Sequence, residues 1–511
     1  MATLAKLDLH PGIEPRLSVW KLIIAAQSSV AARYSHSLRS FHTRVQAPPG
    51  SAVAGAFIST EAARLGRSSL LNLAVWRALE VAESDRHLPA EQRRYVQLVR
   101  QTVSLFSAIS DQFVEQENDL VFSAQLCLGQ AMRDPESRFG ELLPDVQRIL
   151  DLTRRKADLL AAVYPELSPY DRLMALWGGG SSQEITTLTE PVIQEIPKLR
   201  DLARSNAPGW RRLDLPLPVD AQRAIGRQLL SDQGFDFNRG GLVFCQRGKC
   251  WRIGPDEVWI GAEIFPDDLV RLIFSILHEG GHSVYFQSCP SWYGQGLAHD
   301  LIEDFRVMEL WPAVFTGCLP LTRQFWDYMH QAHLRGCISA DITPEVLWCN
   351  YNHLAFSSEW KQGDNARMMG CMISQTELEE LLISGQLRVT EIADWYQERL
   401  RRLFGSTAQS IEDHLYHFHP LWQGTYGLVP MYLYAELGAA AIWERLFSAD
   451  AGLLATIGQG HLDAVGQRLN QHFMPGFLTG FMELITGVLG ESLTAAAWIR
   501  SAMQRAAITS D

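Results

Sequence analysis

The stretch ILHEGGHSVYFQ, residues 276–287, decides how this chain is read. It continues the apolar run LVRLIFSIL (269–277) into two histidines, a glutamate and a Gly-Gly pair. Residues four apart share one face of a helix, so His278 and His282 of the pattern H-E-x-x-H can aim two imidazole nitrogens at one ion. Glu279 stands beside the first histidine, where it can reach a water on that ion without being a ligand itself. Zinc held this way brings the pKa of its water toward neutrality, and the glutamate takes the proton as the oxygen attacks a carbonyl. Three polar side chains on an apolar helix are expensive without partners. Each glycine costs roughly 1 kcal/mol more than alanine in a helix interior. The expected compensation is close backbone approach at a substrate cleft. Satisfied core histidines are the plain alternative, and the apolar setting favours the metal.

Catalytic zinc typically takes three protein ligands and leaves one position open. Downstream, AHDLIEDFRVMELW (298–311) reads as a second helical stretch rich in carboxylates. Glu303, just ahead of the apolar face made by Phe305 and Met308, is the expected third ligand, in preference to Asp300, Asp304 and Glu309. Asp300 or Asp304 would then orient a histidine through its other ring nitrogen.

Outward from this pair of segments, helix-period apolar patterns dominate. They run near 68–82, 94–115, 189–204, 376–383 and 393–404, and through LLPDVQRILDLTRRKADLLAAVY, where Leu143, Val146, Ile149, Leu150, Leu152 and Leu159 recur mostly at three- and four-residue steps. One strand signal stands out: GGLVFCQRGKCWRIGPDEVWIGAEI (240–264) alternates β-prone residues around two turns and predicts a small antiparallel meander. The expected fold is mostly α, with a deep groove and one small sheet beside the zinc helix. The loop NAPGWRRLDLPLPVD (206–220) is the expected boundary between an N-terminal helical region, 1–205, that covers the groove and a catalytic region, 206–511.

A formal net charge of −12 lacks the clustered Lys and Arg of a nucleic-acid footprint. No apolar run is long enough to cross a bilayer. The N-terminal MATLAKLDLHPGIEPRL has no secretory pattern, and eight scattered cysteines read as reduced thiols, so a cytoplasmic location is expected. Cys245 and Cys250 in CQRGKC flank a turn and are read as two unpaired thiols rather than a disulfide or half a metal knuckle.

FSILHEGGHSVY resembles the zinc helix of the carboxypeptidase Taq family of metallopeptidases, a gluzincin-like H-E-x-x-H group whose version reads close to LHEGGHALYEQ. GFDFNRGGL (234–242) is similar to that family's GFDFERGRL, SPYDRLM (168–174) to its PYDALL, and QAPPGSAVA (46–54) to MPPGGAEAR. SGQLRVTEIADWYQERLRRLFG (384–405), GLVPMYLYAELGAA (427–440) and TGVLGESL (486–493) resemble later family segments in matching order. The resemblance implies a helical protein with zinc at the base of a deep groove, peptide substrates, and commonly a homodimer.

Departures cluster around the expected site. Where the family's HPF should fall stand Arg247, Gly248 and Lys249, and where D-V-R-I-T should fall stand Glu257, Val258, Trp259, Ile260 and Gly261. Glu303 matches the ligand of H-E-S-Q only after a one-residue slip. CISADITPEV lacks the arginine of I-R-x-x-A-D, and Q-D-x-H-W has become YHFHPLW (416–422). A carboxypeptidase must hold a free α-carboxylate, a task suited to planar bidentate guanidinium. The losses therefore predict altered carboxylate recognition, with Arg247, Lys249, Arg306 or Arg335 as replacement cations and Trp259 making the pocket more apolar. An oxyanion donor is also needed. The family's second tyrosine falls on Tyr432 by position, with Tyr426, His417 and His419 as nearby alternatives. The expected function is a zinc-dependent metallohydrolase cleaving peptide or related amide bonds. A scaffold redirected to a small biosynthetic substrate and a catalytically silent, metal-stabilised binding protein are the rivals.

Overall fold

In the computed structural model, the described residues are 64–132, 139–207, 213–245, 248–289, 304–354, 365–405 and 415–509. Short interruptions fall at 214, 255–256, 266–267, 417 and 475–477, and Val19, Leu22, Glu61 and Phe356 are described in addition. Helices dominate. Those that place the site are α1 (Ala90–Ala108), α2 (Pro169–Met174), α3 (Ser182–Asn206), α4 (Val219–Asp232), α5 (Leu269–Ser288), α6 (Phe305–Gly317), α7 (Asn365–Ser384), α8 (Val429–Leu446) and α9 (Ala496–Ala506). The pattern expected over 94–115 divides at Ser110, whose side chain accepts a hydrogen bond from the Phe113 amide and starts a new helix there. None of the described helices is long and apolar enough to cross a membrane.

Helix α5 begins where Asp268 accepts from the Arg271 amide, and fifteen of its twenty residues are buried. Such an all-round burial marks a central helix rather than a surface one. Its two glycines explain how its neighbours come so close. A Cβ on Gly281 would lie 2.7 Å from the Pro312 backbone of α6, and one on Gly280 would overlap the Gln233 side chain. Gln233 is fully buried and donates to the Leu277 carbonyl at 3.1 Å. The glycines thus admit packing partners rather than the substrate cleft expected from the sequence.

Three strands occupy 240–262: β1 (Gly240–Phe244), β2 (Lys249–Arg252) and β3 (Val258–Ala262). Their order is β1-β3-β2, with β3 parallel to β1 and antiparallel to β2, so the sheet is mixed and not the expected meander. The physical reason lies in burial. Strand β3 has four of its five residues buried, and the central place lets both its edges pair. Side chains alternate across a sheet. Phe244, Ile260 and Cys250 share one face, and Phe244 and Ile276 of α5 both lie against Gly226 of α4. Cys245 and Cys250 fall on opposite faces and are not joined in a disulfide.

Candidate metal centre

Helix α5 presents His278 and His282 one turn apart, with ring centroids separated by 5.0 Å. Facing them is Glu309 of α6. Its carboxylate oxygens lie 3.8 Å from His278 Nε2 and 3.5 Å from His282 Nε2. All three donor atoms lie within 4.8 Å of one another. These separations are too long for hydrogen bonds. They suit a shared ion, since donors about 2 Å from a tetrahedral zinc stand about 3.3 Å apart. Burial lowers His278 to about 4, so its imidazole is neutral and able to coordinate at neutral pH. Burial, then the Glu279 and Glu436 carboxylates, push Glu309 well above the usual carboxylate range. The neutral His278 imidazole, the His282 ring and a crowded buried carboxylate form a donor set that fits a divalent cation.

Glu303, the expected third ligand, lies outside the described residues, as do Asp300, Arg247 and His417. Glu309 is the acid brought to the histidines among the described residues. A signal for it was present: FRVMELWPAVF is an apolar helix interrupted by one carboxylate, the same costly pattern that singled out the histidines. Asp304 serves elsewhere. It caps α6 by accepting from the Arg306 amide and also accepts from the Phe481 amide at 2.8 Å.

Glu279 is buried against Gly248, the residue before β2, where an added Cβ would stand 3.1 Å from Glu279 Oε1. The same face of the sheet carries Cys250, whose thiol is pushed well above its usual value by burial and by Glu279. Tyr432 of α8 completes the group. Its ring packs edge-on to Phe305 at 5.4 Å, and burial together with Glu309 and Glu279 raises its hydroxyl well above the ordinary phenol value. A cavity of about 400 Å³ lies between Tyr285, Val307 and the loop Gly178–Gly180, and neither the three candidate ligands nor Glu279 and Tyr432 line it.

Other expected site residues are placed elsewhere. Trp259 projects from the face of β3 opposite Ile260, and its indole nitrogen donates to Glu257 at 2.8 Å. The alternation of the strand, not detectable from a motif count, turns it away from α5. Arg306 is buried in a bidentate pair with Asp304 (2.8 and 2.7 Å) and donates to the Gly178 carbonyl at 2.5 Å. Its charge is consumed internally. Tyr426 is buried, and its carbonyl accepts from Trp177 Nε1 at 3.1 Å in the turn before α8. His419 is exposed, its Nδ1 paired with Gln423 Nε2 at 2.8 Å. Arg335 is exposed beyond a π-helical turn.

An H-E-x-x-H helix crossed by an acid-bearing helix defines the class of helical metallopeptidase folds. The carboxypeptidase Taq (M32) metallopeptidase family model matches residues 34–506, and the chain belongs to that family. "Thermostable carboxypeptidase 1" of Thermus thermophilus is 25% identical over 323 residues, 61% of this chain and 63% of that protein. "Carboxypeptidase 1" of Bacillus subtilis is 20% identical over 369 residues, covering 70% and 72% of the two chains. The match to the Thermus protein spans less than two thirds of its length. Among solved structures, the M32 carboxypeptidase of Deinococcus radiodurans R1 superposes with a TM-score of 0.86 at 22% identity, covering 96% of this chain and 99% of that one. Trypanosoma cruzi metallocarboxypeptidase 1 gives 0.83 at 18% identity, with 96% and 99% covered. The fold is shared over nearly the whole chain.

Proposed function

We propose that this protein is a zinc-dependent peptidase in which His278, His282 and Glu309 hold the metal and Glu279 moves the proton. The observation that carries the reading is the convergence of three ligand atoms from two helices beside a buried carboxylate that is not among them. The ion, when bound, supplies Lewis acidity toward a water and a substrate carbonyl. Glu279 takes the proton of the attacking water and returns it to the departing amine. Tyr432, held protonated by its burial and its acidic neighbours, donates a hydrogen bond to the developing oxyanion.

Carboxylate recognition separates this chain from an ordinary carboxypeptidase. Arg306 is bound to Asp304, and Trp259 faces away from α5. Neither serves a substrate carboxylate, which favours cleavage of amide bonds whose acyl or amine side need not end in a free acid. A small-molecule amide remains the second reading on the same observation. The test uses zinc-loaded protein, its Glu279→Gln variant, and matched peptides with free and amidated C-termini. Cleavage of both forms, about 10²–10⁴-fold slower in the variant, is the expected result. Activity confined to free acids would overturn the altered recognition. Activity unchanged in Glu279→Gln, or protein that takes up no zinc, would overturn the reading itself. A homodimer and a cytoplasmic location are proposed with it, checked by light scattering and by fractionation.

A further inference from the structure

The helix that carries Tyr432 starts from a turn that is clamped from behind by a buried acid. Glu379 of α7 is fully buried. One of its oxygens, Oε2, accepts from the Gly427 amide at 2.6 Å and from the Tyr170 hydroxyl at 3.0 Å. Tyr170 belongs to α2, so three separate segments meet at one carboxylate oxygen. The turn they hold runs from Thr425 to Leu428, closed by the Leu428 amide donating to the Thr425 carbonyl. Gly427 has φ +84°, and a Cβ there would stand 2.6 Å from the Met174 nitrogen. The turn is therefore pressed onto the end of α2 with no room to slide. From the same turn the Tyr426 carbonyl accepts from Trp177, and Trp177 packs on Phe305 at 6.1 Å. Phe305 in turn packs on Tyr432. Two routes, one through the backbone and one through aromatic rings, thus lead from the clamp to the Tyr432 hydroxyl.

Stability alone does not account for the arrangement. Glu379 Oε1, the Tyr426 hydroxyl and the Thr425 hydroxyl are buried and have no hydrogen-bond partner among the described residues. Leaving such atoms buried and unpaired is unfavourable, and local costs of this kind concentrate where function sets the geometry. Burial also raises the Glu379 carboxyl to about 8, against the lowering effect of its two donors.

We propose that Glu379 is a positioning residue for the reaction: by holding the Gly427 turn against α2 it fixes where α8 begins and hence where Tyr432 delivers its hydrogen bond. The proposal rests on Tyr432 acting as the oxyanion donor, as argued above. A shift of an ångström at such a group costs up to about 10²-fold in rate.

The test compares Glu379→Ala and Glu379→Gln in the full zinc-loaded chain, each with Tyr432 intact and with Tyr432→Phe. With Tyr432 intact, Glu379→Ala should lower kcat about 10–100-fold with KM within about threefold. Glu379→Gln should recover kcat to within about threefold, because an amide oxygen accepts both hydrogen bonds. In the Tyr432→Phe background, Glu379→Ala should cost less than about threefold, the signature of residues acting as one unit. An equal loss in both backgrounds, or a lowered melting temperature with kcat unchanged, would overturn the proposal. Should Glu379→Ala not fold, Tyr170→Phe removes one donor and carries the same comparison. If the wild-type protein cleaves no peptide, the function proposed above fails while the clamp is still tested by hydrogen exchange. The Gly427 amide should then be protected in wild type and Glu379→Gln and exchange at least about tenfold faster in Glu379→Ala. Equal exchange in all three would overturn it.

Discussion

Glu279 and Glu309 are both buried acids beside the same two histidines, and their oxygens face different tasks. Glu309 has one oxygen toward each imidazole, whereas Glu279 lies against Gly248 at the start of β2. Glu309→Gln should weaken zinc binding by more than about 100-fold, beyond the roughly 10–100-fold that an outer-shell change costs. Glu303→Gln should leave it unchanged. Competition with a zinc chelator measures both, and the opposite order would return the third position to Glu303. The histidines and Glu279 were legible because H-E-x-x-H encodes them on one helical face. Glu309 was passed over for Glu303, which precedes the face of Phe305 and Met308. The lone carboxylate in FRVMELWPAVF hinted at it, but spacing within one element does not say which acid of 298–311 arrives opposite α5.

At the scale of elements, the proposed metal centre depends on α5 and α6 approaching closely enough for donors on both to converge. Gly281 permits that approach. A methyl there would meet the Pro312 backbone at 2.7 Å, and backbone cannot rotate aside as a side chain can. Gly281→Ala should destabilise the protein by about 1–3 kcal/mol, the usual cost of overpacking, and should weaken zinc binding as the helices part. Gly140→Ala, where no atom lies within 4 Å of the added carbon, should do neither. Urea unfolding with and without zinc distinguishes them. The strand signal over 240–264 gave the right elements, and it was silent on their order, because pairing order follows from which strand needs both edges covered.

Across the whole molecule, Arg306 ties together segments far apart in sequence: Asp304, the Gly178 carbonyl and, through Asp304, the Phe481 amide. Arg306→Ala leaves the half-buried Asp304 carboxylate without its cation and should cost about 1–3 kcal/mol of stability, with KM for peptides unchanged. A raised KM at undiminished stability would make Arg306 a substrate residue after all. Glu379 adds a pH dependence. Its carboxyl rises from 4.5 to about 8 on folding, so between those values the folded chain binds the extra proton and stability falls as pH rises. Around it stand Tyr170 and Gly427 as donors, with the Tyr426 hydroxyl nearby. Denaturation midpoints from pH 5 to 8 should decline less steeply in Glu379→Gln; identical slopes would contradict the buried titration.

The sequence by itself determined the helical class and the placing of His278, Glu279 and His282 on one helix, because these depend on periodicity and on spacing within one element. The family resemblance, by position, made Tyr432 a candidate beside Tyr426, His417 and His419. Only the tertiary structure decided that Glu309 faces the histidines, that Arg306 is consumed by Asp304, and that Trp259 turns to the far face of the sheet. Those outcomes depend on which surfaces of distant segments meet, and the free energy that selects them belongs to packing between elements rather than to any stretch of chain.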